Sequence, residues 1–369
     1  MKKVKLVNLF LYIRNGANIK QGMENTGYPI TRIETISNRK VDRNKMGYAG
    51  ITNLEKYSDY ILQDGDILMS HINSETHLGK VALYCKEDNE TIIHGMNLLL
   101  LRPKKDLIVS KYAFYYLSSQ SFLRQIPNIT KKSVNQASFT VTALKDLSIP
   151  MVSITEQKAI AEKLDKVSEL IEKRKAQLEK LDLLIKSRFI EMFDGKYSTQ
   201  SLESVCEELF AGGDVKKDKS SNEQSDRYPY PIYTNGEKDN GLYGYTSLVR
   251  VKKEAVTISG RGTIGFTCLR TEPFYPAVRL IVAVPNQKII SGCYLQYFIQ
   301  SKNYGGQGAS IPQLTVPMIK NEKIPVPPIE LQNKFAELVK LIDKSKFEIQ
   351  KSLEKLEILK KSLMQQYFG

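Results

Sequence analysis

The sequence predicts an α+β chain: two mixed, mainly β domains related by pseudo-twofold symmetry and separated by two long helices that form an antiparallel coiled coil. Two observations predict this architecture. The chain is an internal duplication, and each copy passes from short strand-like runs to one long apolar heptad pattern. With 369 residues and 41% apolar content, the chain can supply a core for each of two domains.

The duplication is visible when the sequence is shifted against itself. A shift of 175 residues superimposes Thr140 on Thr315, and the match continues without a gap as far as Phe193 on Phe368. Upstream, residues 112–119 match residues 294–301 at a shift of 182, and Leu6 matches Leu202 at a shift of 196. The first copy therefore has about 21 more residues in its variable part, so that one shared frame carries different loops.

The order of parts in each copy gives the expected boundaries. The first domain covers residues 1–152 and its long spacer helix 153–195, while the second domain covers 196–327 and its helix 328–369. Each domain begins with strand-like runs bounded by Gly, Asn and Asp, and continues into a helix rich in Tyr and Phe. That aromatic stripe is more typical of a core than of a base-stacking surface.

Both long helices have marked starts and a coiled-coil seam. Ser153 and Glu156 form an S-x-x-E capping box, and Pro327-Pro328 precede the second helix. Apolar residues then recur at alternating intervals of three and four. They are Ile160, Leu164, Val167, Ile171, Leu178, Leu181 and Ile185 in the first helix, and Phe335, Val339, Ile342, Ile349, Leu353 and Leu356 in the second.

Each seam is interrupted by charge at a different place. Arg174 stands where the other copy has Ile349, and Lys346 stands where the first copy has Ile171. Because such interruptions discourage pairing between identical helices, we expect the two helices to pair inside one chain. A helix of about 39 residues rises about 58 Å, which would separate two domains by more than one turn of B-DNA. The charged run 172–175 is typical of a solvated helix face.

The charge of the chain favours a polyanionic partner. Lys and Arg total 54 against 40 Asp and Glu, a formal net charge of +14, so nucleic acid is the leading candidate and a merely lysine-rich surface is the alternative. Four widely spaced cysteines without a C-x-x-C pair indicate reduced thiols and a cytoplasmic protein. Neither a signal peptide nor a membrane span is expected, because the apolar runs are too short.

Sequence signatures of catalysis are missing. No G-x-G-x-x-G opens a βαβ unit, and Gly79-Lys80 fails as a phosphate-binding loop because Ser74 replaces its first glycine. The histidines at positions 71, 77 and 94 lack metal-ligand spacing and are expected in loops, and Asp64-Gly65-Asp66 is more typical of a turn than of paired catalytic carboxylates. We therefore assign no catalytic residue and no metal ligand.

Several motifs carry a resemblance to a known family. They are Ser310-Ile311-Pro312-Gln313-Leu314, residues 324–332, Tyr230-Pro231-Ile232-Tyr233 and Ser259-Gly260-Arg261-Gly262-Thr263-Ile264-Gly265. With two variable regions that each lead into a long helix, the whole chain resembles the specificity subunit of type I restriction-modification enzymes. The first copy departs from the pattern, since Ile149-Pro150 is not followed by a double proline and Ala137-Ser138 replaces a Pro-Gln-like turn.

The resemblance implies a DNA-binding subunit that is not itself an enzyme. Its two target recognition domains would each read one half-site of a split double-stranded DNA target. Methyltransferase (modification) subunits, expected as two copies, would bring S-adenosylmethionine, and restriction subunits would bring ATP- and Mg²⁺-dependent translocation and cleavage, while this chain binds no cofactor. The alternatives are a diverged DNA methyltransferase with its own active site and a coiled-coil scaffold without DNA binding.

Candidate DNA-contacting residues are loop positions of the types that read bases or hold phosphates. Arg pairs with guanine, Asn and Gln with adenine, and Ser and Thr with either, while Lys and Tyr commonly hold phosphates. In the first domain the candidates are Lys20, Arg32, Arg39, Lys40, Arg43, Tyr48, His71, Asn73, Lys131, Lys132, Asn135 and Gln136. In the second domain they are Lys216, Lys217, Tyr233, Asn235, Tyr243, Tyr245, Arg261, Thr263, Arg279 and Gln313.

Overall fold

The chain divides into two compact units in a computed structural model. Unit 1 comprises Met1–Lys175 and Lys351–Gly369, and unit 2 comprises Ala176–Gln350, so each unit contains one domain and parts of both long helices. The structure describes residues 2–20, 25–36, 39–132, 136–302, 304 and 313–369, with Lys217 described in its backbone only.

The strands and helices of the shared frame follow the same order in both copies, and each copy adds elements of its own. In the first they are β1 Lys2–Lys5, α1 Leu6–Leu9, β2 Phe10–Asn15, β3 Ile67–Met69, β4 Ile72–Asn73, β5 Val81–Leu83, β6 Leu99–Pro103, α2 Ser110–Leu117, α3 Gln120–Leu123, α4 Ile126–Ile129, β7 Lys131–Lys132, β8 Ala137–Ser138, α5 Val141–Asp146, β9 Ser148–Met151 and α6 Ile154–Phe193. In the second they are β10 Thr199–Ser201, α7 Leu202–Val205, β11 Cys206–Ala211, β12 Ser220–Ser221, β13 Tyr230–Tyr233, β14 Leu242–Thr246, β15 Ala255–Ile258, β16 Thr267–Arg270, β17 Tyr275–Pro276, β18 Ile281–Pro285, α8 Gly292–Ser301, α9 Val316–Ile319, β19 Lys323–Pro325 and α10 Ile329–Phe368.

The central sheet has the same topology in both units. Its four antiparallel strands follow the order β2-β6-β3-β5 in unit 1 and β11-β18-β15-β16 in unit 2. A two-stranded sheet also joins the start of each domain to the strand before its long helix, as β1-β9 and β10-β19. The additions differ, with a three-stranded sheet β4-β8-β7 in unit 1 and a four-stranded sheet β12-β14-β13-β17 in unit 2. The expected duplication, one frame with different loops, is confirmed.

Both faces of each central sheet are buried. In β3, Ile67 and Met69 belong to the core that contains the helices, whereas Leu68 between them belongs to a second core on the other face. In β15, Val256 and Ile258 likewise face the helices. Successive side chains of a strand point to opposite faces, so a sheet that is covered on both sides reads as an uninterrupted apolar run.

A buried glutamine fastens the start of α6 to the domain of unit 1. Gln157 has no solvent exposure, and its Oε1 accepts a hydrogen bond from the amide of Val109 over 2.9 Å. Its Nε2 donates to the carbonyl oxygens of Val152, over 3.0 Å, and Leu107, over 3.4 Å. One side chain therefore satisfies backbone groups just before α2 and just before α6.

Gln332 makes the same connection in unit 2. It is also fully buried, its Oε1 accepts from the amide of Ser291 over 2.8 Å, and its Nε2 donates to the carbonyl oxygens of Pro327, over 2.8 Å, and Ile289, over 3.1 Å. The two glutamines are the pair that the shift of 175 residues superimposes. The duplication of the sequence is thus matched by a duplication of this hydrogen-bond network.

The capping box expected at the start of α6 is present. The amide of Glu156 donates to Ser153 Oγ over 3.3 Å, and the amide of Ser153 donates to Glu156 Oε2 over 3.0 Å. These reciprocal bonds satisfy two backbone donors at the helix start.

The two long helices pack against each other in antiparallel fashion within each unit. In unit 1, Leu164 near the start of α6 shares a core with Phe368 at the end of α10, and in unit 2, Ile185 near the end of α6 shares a core with Phe335 near the start of α10. The polar seam residue Lys346 is paired with Asp182 over 2.5 Å. The expected pairing of the two helices inside one chain is confirmed.

The far end of each long helix docks on an aromatic helix. Phe368 lies 5.3 Å from the ring of Tyr112 in unit 1, and Phe193 lies 4.6 Å from the ring of Tyr294 in unit 2, as measured between ring centroids. The aromatic helices differ in length, because Ser119 caps a new helix in unit 1 by accepting a hydrogen bond from the amide of Phe122. The aromatic helix of unit 1 therefore ends at Leu117. No helix of the described residues is both long enough and apolar enough to span a membrane.

One of the histidines expected in loops lies in the interior of unit 1. His94 has no solvent exposure, and its Nδ1 lies 3.2 Å from Thr31 Oγ1. Burial lowers the pKa of His94 to about 3, because the charged imidazolium would lose its hydration. His94 lies outside the strands, as expected, but it is not at the surface, because backbone pairing of Ile93 with Ile30 and of Gly95 with Ala17 holds it in the core.

We expect the two buried glutamines to be required for stability. Replacing Gln157 by Leu leaves the amide of Val109 and two carbonyl groups buried without partners, which should lower the free energy of unfolding by about 2–5 kcal/mol, and Gln332→Leu should do the same in unit 2. Urea unfolding followed by circular dichroism measures the change. Gln365→Leu, at an exposed position of α10, is the control and should stay within about 0.5 kcal/mol of the wild type. Equal stability of Gln157→Leu and Gln365→Leu would contradict this role.

We also expect acid to destabilise unit 1 through His94. Its folded pKa of about 3 is below the ordinary 6.5, so the unfolded chain binds the proton more tightly, and the stability present above about pH 6.5 is lost as the pH falls toward 3. Between pH 6.5 and 5 the loss should be about 2 kcal/mol. The test compares the slope of unfolding free energy against pH for the wild type and His94→Phe. His77→Gln, at an exposed histidine, should keep the wild-type slope, and an unchanged slope in His94→Phe would refute the assignment.

Candidate nucleic-acid interface

The loops that follow the central strands β3 and β15 begin and close in the same way in both units. In unit 1 the amide of Gly79 donates to the carbonyl oxygen of Ser70 over 2.9 Å. In unit 2 the amide of Gly265 donates to the carbonyl oxygen of Ser259, also over 2.9 Å. Because these are backbone bonds, the two loops have equivalent ends although their sequences differ.

A second shared bond brings another segment against each loop. The amide of Phe139 donates to the carbonyl oxygen of His71 over 3.2 Å, and the amide of Leu314 donates to that of Gly260 over 2.8 Å. The segment that leads into α5 or α9 therefore lies beside the loop in each unit. Sequence-variable residues from two distant parts of each domain meet at this place.

Four of the candidate residues of unit 2 form one cluster here. Gln313 Oε1 accepts hydrogen bonds from the guanidinium groups of Arg261, over 3.1 Å, and Arg279, over 3.4 Å. Asn235 Oδ1 accepts from the amide of Gly260 over 2.7 Å. Both arginines are exposed, so their remaining donors face solvent. Guanidinium groups held beside amides are the chemistry that reads guanine and adenine edges or binds phosphates.

The backbone of this cluster requires glycine at position 260. A Cβ atom at Gly260 would lie 2.6 Å from the carbonyl oxygen of Leu314 and 3.1 Å from that of Arg279. Both atoms belong to the backbone and cannot rotate away, so a larger residue would displace the loop. The close approach holds Arg261 beside Gln313. Thr263, another candidate, is exposed in the same loop.

Three candidates of unit 1 share the equivalent place. Asn73 on β4 lies opposite Ala137 on β8, and Lys132 on β7 lies opposite the same Ala137 from the other side. Lys131 and Lys132 are exposed, and Lys132 is paired with Glu75 over 2.9 Å. Gln136 is exposed next to this sheet, whereas Asn135 lies outside the described residues.

The other candidates take no part in either cluster through the hydrogen bonds and ion pairs of the described residues. Arg39, Lys40 and Arg43 instead line a cavity in unit 1. Of the remaining candidates, four have exposed side chains and two are half-buried. The exposed ones are Lys20, Arg32, Lys216 and Tyr243, and the half-buried ones are Tyr48 and Tyr245. At Lys217 the side chain lies outside what the structure describes.

Two candidates are core residues and need correction. His71 is 5% exposed, packs edge-on against Phe139, and has its pKa lowered to about 4 by burial, so it is uncharged at neutral pH. Tyr233 is 7% exposed and donates its hydroxyl to Glu272 over 2.6 Å. Both lie in or beside a strand whose neighbouring residues are also buried. Residue type alone did not reveal this burial.

The acidic turn near β3 has a structural role. Asp66 is 1% exposed and accepts two hydrogen bonds from the guanidinium of Arg102, over 2.8 and 2.7 Å. Gly65 between Asp64 and Asp66 has φ +89°, as expected for a turn. Among the described residues, no group of three His, Cys, Asp or Glu is arranged to hold a metal ion.

Sequence reasoning missed one basic group. Lys175, Lys360 and Lys361 of the long helices line the same cavity of unit 1 as Arg39 and Lys40. The run 172–175, typical of a solvated helix face, instead contributes Glu172 and Lys175 to this cavity. A position-by-position comparison of the two copies contains the missing signal, because Lys360 stands where the other copy has Ile185.

Comparison with known proteins identifies the family. The model of the type I restriction modification DNA specificity domain matches residues 1–180 and 196–360. A putative type I restriction enzyme specificity subunit, MjaX of Methanocaldococcus jannaschii, is 34% identical over 391 aligned positions, which cover 98% of this chain and 91% of the relative. A putative type I specificity subunit of Mycoplasma pneumoniae, S.MpnORF507P, is 26% identical over 234 positions, covering 60% of this chain and 62% of the relative.

Solved structures share the fold. The crystal structure of a type I restriction-modification S subunit from M. genitalium superimposes with a TM-score of 0.63 at 19% identity, covering 100% of this chain and 96% of that one. A chain from a structural study of type I R-M complex assembly and conformational transition gives a TM-score of 0.57 at 16% identity, with 100% and 97% coverage. From its two matched domains and its whole-length similarity, the chain belongs to the family of type I restriction-modification specificity subunits.

Proposed function

We propose that this chain recognises a bipartite double-stranded DNA sequence, with one half-site for each unit, and that it has no catalytic activity of its own. The observation that carries this proposal is the repeated frame with unlike loops. Equivalent backbone bonds hold residues 70–79 and 259–265, yet an Asn and two Lys occupy the place in unit 1 that an Asn, two Arg and a Gln occupy in unit 2. Two domains that share a backbone frame but present different side chains suit the recognition of two different half-sites.

The chemistry of the two clusters suits double-stranded DNA. An exposed guanidinium such as that of Arg261 can donate two bonds to a guanine edge, while Lys131 and Lys132 supply point charges for phosphates. The net charge of +14 adds long-range attraction to the polyanion. A scaffold that never touches DNA would need neither cluster.

We propose that catalysis belongs to separate subunits that dock on this chain. Two methyltransferase subunits would bind S-adenosylmethionine, and restriction subunits would use ATP and Mg²⁺. This agrees with the description of the relative from Methanocaldococcus jannaschii as the specificity subunit of a restriction enzyme. A cytoplasmic location fits the four free cysteine thiols. Titration of the isolated chain with S-adenosylmethionine tests the division of labour, since binding would favour a methyltransferase.

We expect Arg261 to contribute to the half-site of unit 2. In the complex assembled with its partner subunits, Arg261→Ala should weaken DNA binding by about 1–3 kcal/mol. The slope of log binding constant against log salt separates the two roles, because loss of a phosphate contact reduces it by about 0.9 and loss of a base contact leaves it unchanged. Arg227→Ala, at an exposed arginine outside the cluster, is the matched control. Equal effects of both substitutions would show general electrostatics only.

The sharpest test exchanges one of the two recognition domains. Replacing residues 197–323 by the corresponding domain of a relative should change one half-site and leave the other intact, because unit 1 keeps all its own loops. Sequencing the methylated positions in cells that carry the complete system gives both half-sites directly. An active chimera in which both half-sites change, or neither does, would contradict the model of two independent readers.

A further inference from the structure

Unit 1 contains a cavity of about 770 Å³ beside the long helices. It is bounded by residues 39–43 of the domain, by the end of α2, by residues 168–175 of α6 and by residues 357–364 of α10. Its size lies within the range of about 300–1,000 Å³ typical of small-molecule sites. None of the reading residues in the two clusters lines it, so the proposed function does not account for it.

The cavity combines an apolar floor with a charged rim. Phe114, Ile171 and Met364 provide apolar surface, while six cationic and three acidic side chains also line it, which leaves a formal charge of +3. A ligand that satisfies both parts must carry an apolar group together with several negative charges. Such a lining is typical of a binding site, in which a few polar groups orient a ligand on apolar walls.

The three acidic side chains are already paired. Glu172 accepts from Lys40 over 2.5 Å, Glu87 lies 2.9 Å from Arg43, and Glu357 lies 3.7 Å from Lys175. The other three cations of the lining form no ion pair with any of the described residues; they are Arg39, Lys360 and Lys361. The uncompensated charge therefore consists of one guanidinium and two neighbouring ammonium groups.

Lys360 is held in an unfavourable environment. Burial lowers the pKa of its ammonium group, and the nearby cations Arg39, Lys175 and Lys40 lower it further, against a smaller opposite effect of Glu172. A half-buried cation among like charges is relieved by an anion, because the anion replaces the hydration that the group has lost.

The duplicated frame does not require a lysine at this position. The residue equivalent to Lys360 in the other copy is Ile185, which is 2% exposed and packs in a core with Phe335 and Val339 of unit 2. The same place on the same helix pair is therefore filled by an apolar side chain in one unit and lined by unpaired charge in the other. Stability alone favours the isoleucine arrangement.

We propose that this cavity binds a small ligand that carries at least two phosphate groups and a flat apolar group, the chemical class of the nucleoside di- and triphosphates. Lys360, Lys361 and Arg39 would hold the phosphates, since ammonium and guanidinium groups are the usual phosphate ligands of proteins. The ring of Phe114 and the side chain of Met364 would contact the base. The site lies in unit 1, and none of the reading residues in the two clusters lines it.

Calorimetric titration of the full chain tests the site directly. The probes are ATP without Mg²⁺, tripolyphosphate and adenosine. We expect one ATP per chain, weaker binding of tripolyphosphate and no detectable binding of adenosine. Lys361→Gln should weaken ATP binding by about tenfold or more, because a hydrogen bond to a charged group is lost. Lys186→Gln, the equivalent lysine of the other copy and also exposed, should bind ATP like the wild type.

A second variant gives the cavity the residue that the other copy has at the equivalent position. Lys360→Ile introduces the residue of the other copy, and we expect it to abolish ATP binding and to raise the melting temperature, because a half-buried unpaired charge is removed. Cys85 reports the location, since it is an exposed free thiol that lines the cavity. ATP should slow the alkylation of Cys85 in the wild type, as measured by peptide mass spectrometry, and should leave the rate at Cys206 in unit 2 unchanged.

Three results would overturn the proposal. The first is the absence of ATP binding by the full chain. The second is an equal loss of binding in Lys361→Gln and Lys186→Gln, which would indicate general attraction to a basic surface. The third is weaker duplex DNA binding by the Lys361→Gln complex without any ATP binding, which would assign the cavity to the DNA surface. Because half-site recognition is measured separately, none of these results bears on the two-reader model.

Discussion

In each unit, the side-chain amide of a buried glutamine fixes the direction of a long helix relative to its domain. Gln157 connects the start of α6 with the backbone just before α2, and its own side chain has no solvent exposure. A buried polar group that loses its partners cannot recover them from solvent, so even a small rotation of the helix would cost several kcal/mol. The direction of α6 relative to its domain is thus set by hydrogen-bond geometry, whereas apolar contacts alone would tolerate a range of angles. Gln332 does the same for α10.

With the helix direction fixed, the remaining contacts follow from it. Tyr112 donates its hydroxyl to the carbonyl oxygen of Pro150 and presents its ring to Phe368, and Tyr294 does the same with Pro325 and Phe193. The frame is therefore conserved within the chain at the level of individual bonds. Loops that start and end at equivalent backbone positions can differ in length and sequence without disturbing these bonds. This is how one scaffold accommodates two unlike reading surfaces.

Much of this arrangement could be predicted from the sequence, because it rests on local and periodic signals. The capping box at Ser153, the heptad seams and the match of Gln157 with Gln332 all lie in continuous stretches of sequence. The features that could not be predicted depend on the direction in which side chains point. Whether His71 points outward or inward is decided by strands that are distant in sequence, and its residue type gives no information on this. The cluster around Gln313 likewise joins residues from four separate loops, and the cavity beside Lys360 joins the domain of the first copy to the helix of the second.

The composition of the two units also bears on the order in which they can form during synthesis. Unit 2 is one continuous segment, Ala176–Gln350, whereas the core of unit 1 includes Phe368 from Lys351–Gly369. A chain that emerges from the ribosome can complete the later-made domain while the earlier one still lacks a wall of its core. The usual sequence of folding, in which N-terminal domains finish first, is thereby reversed. The rings of Tyr112 and Tyr116 would lack their contact with Phe368 until translation has passed residue 368, which prolongs the exposure of this part of the core to chaperones and proteases.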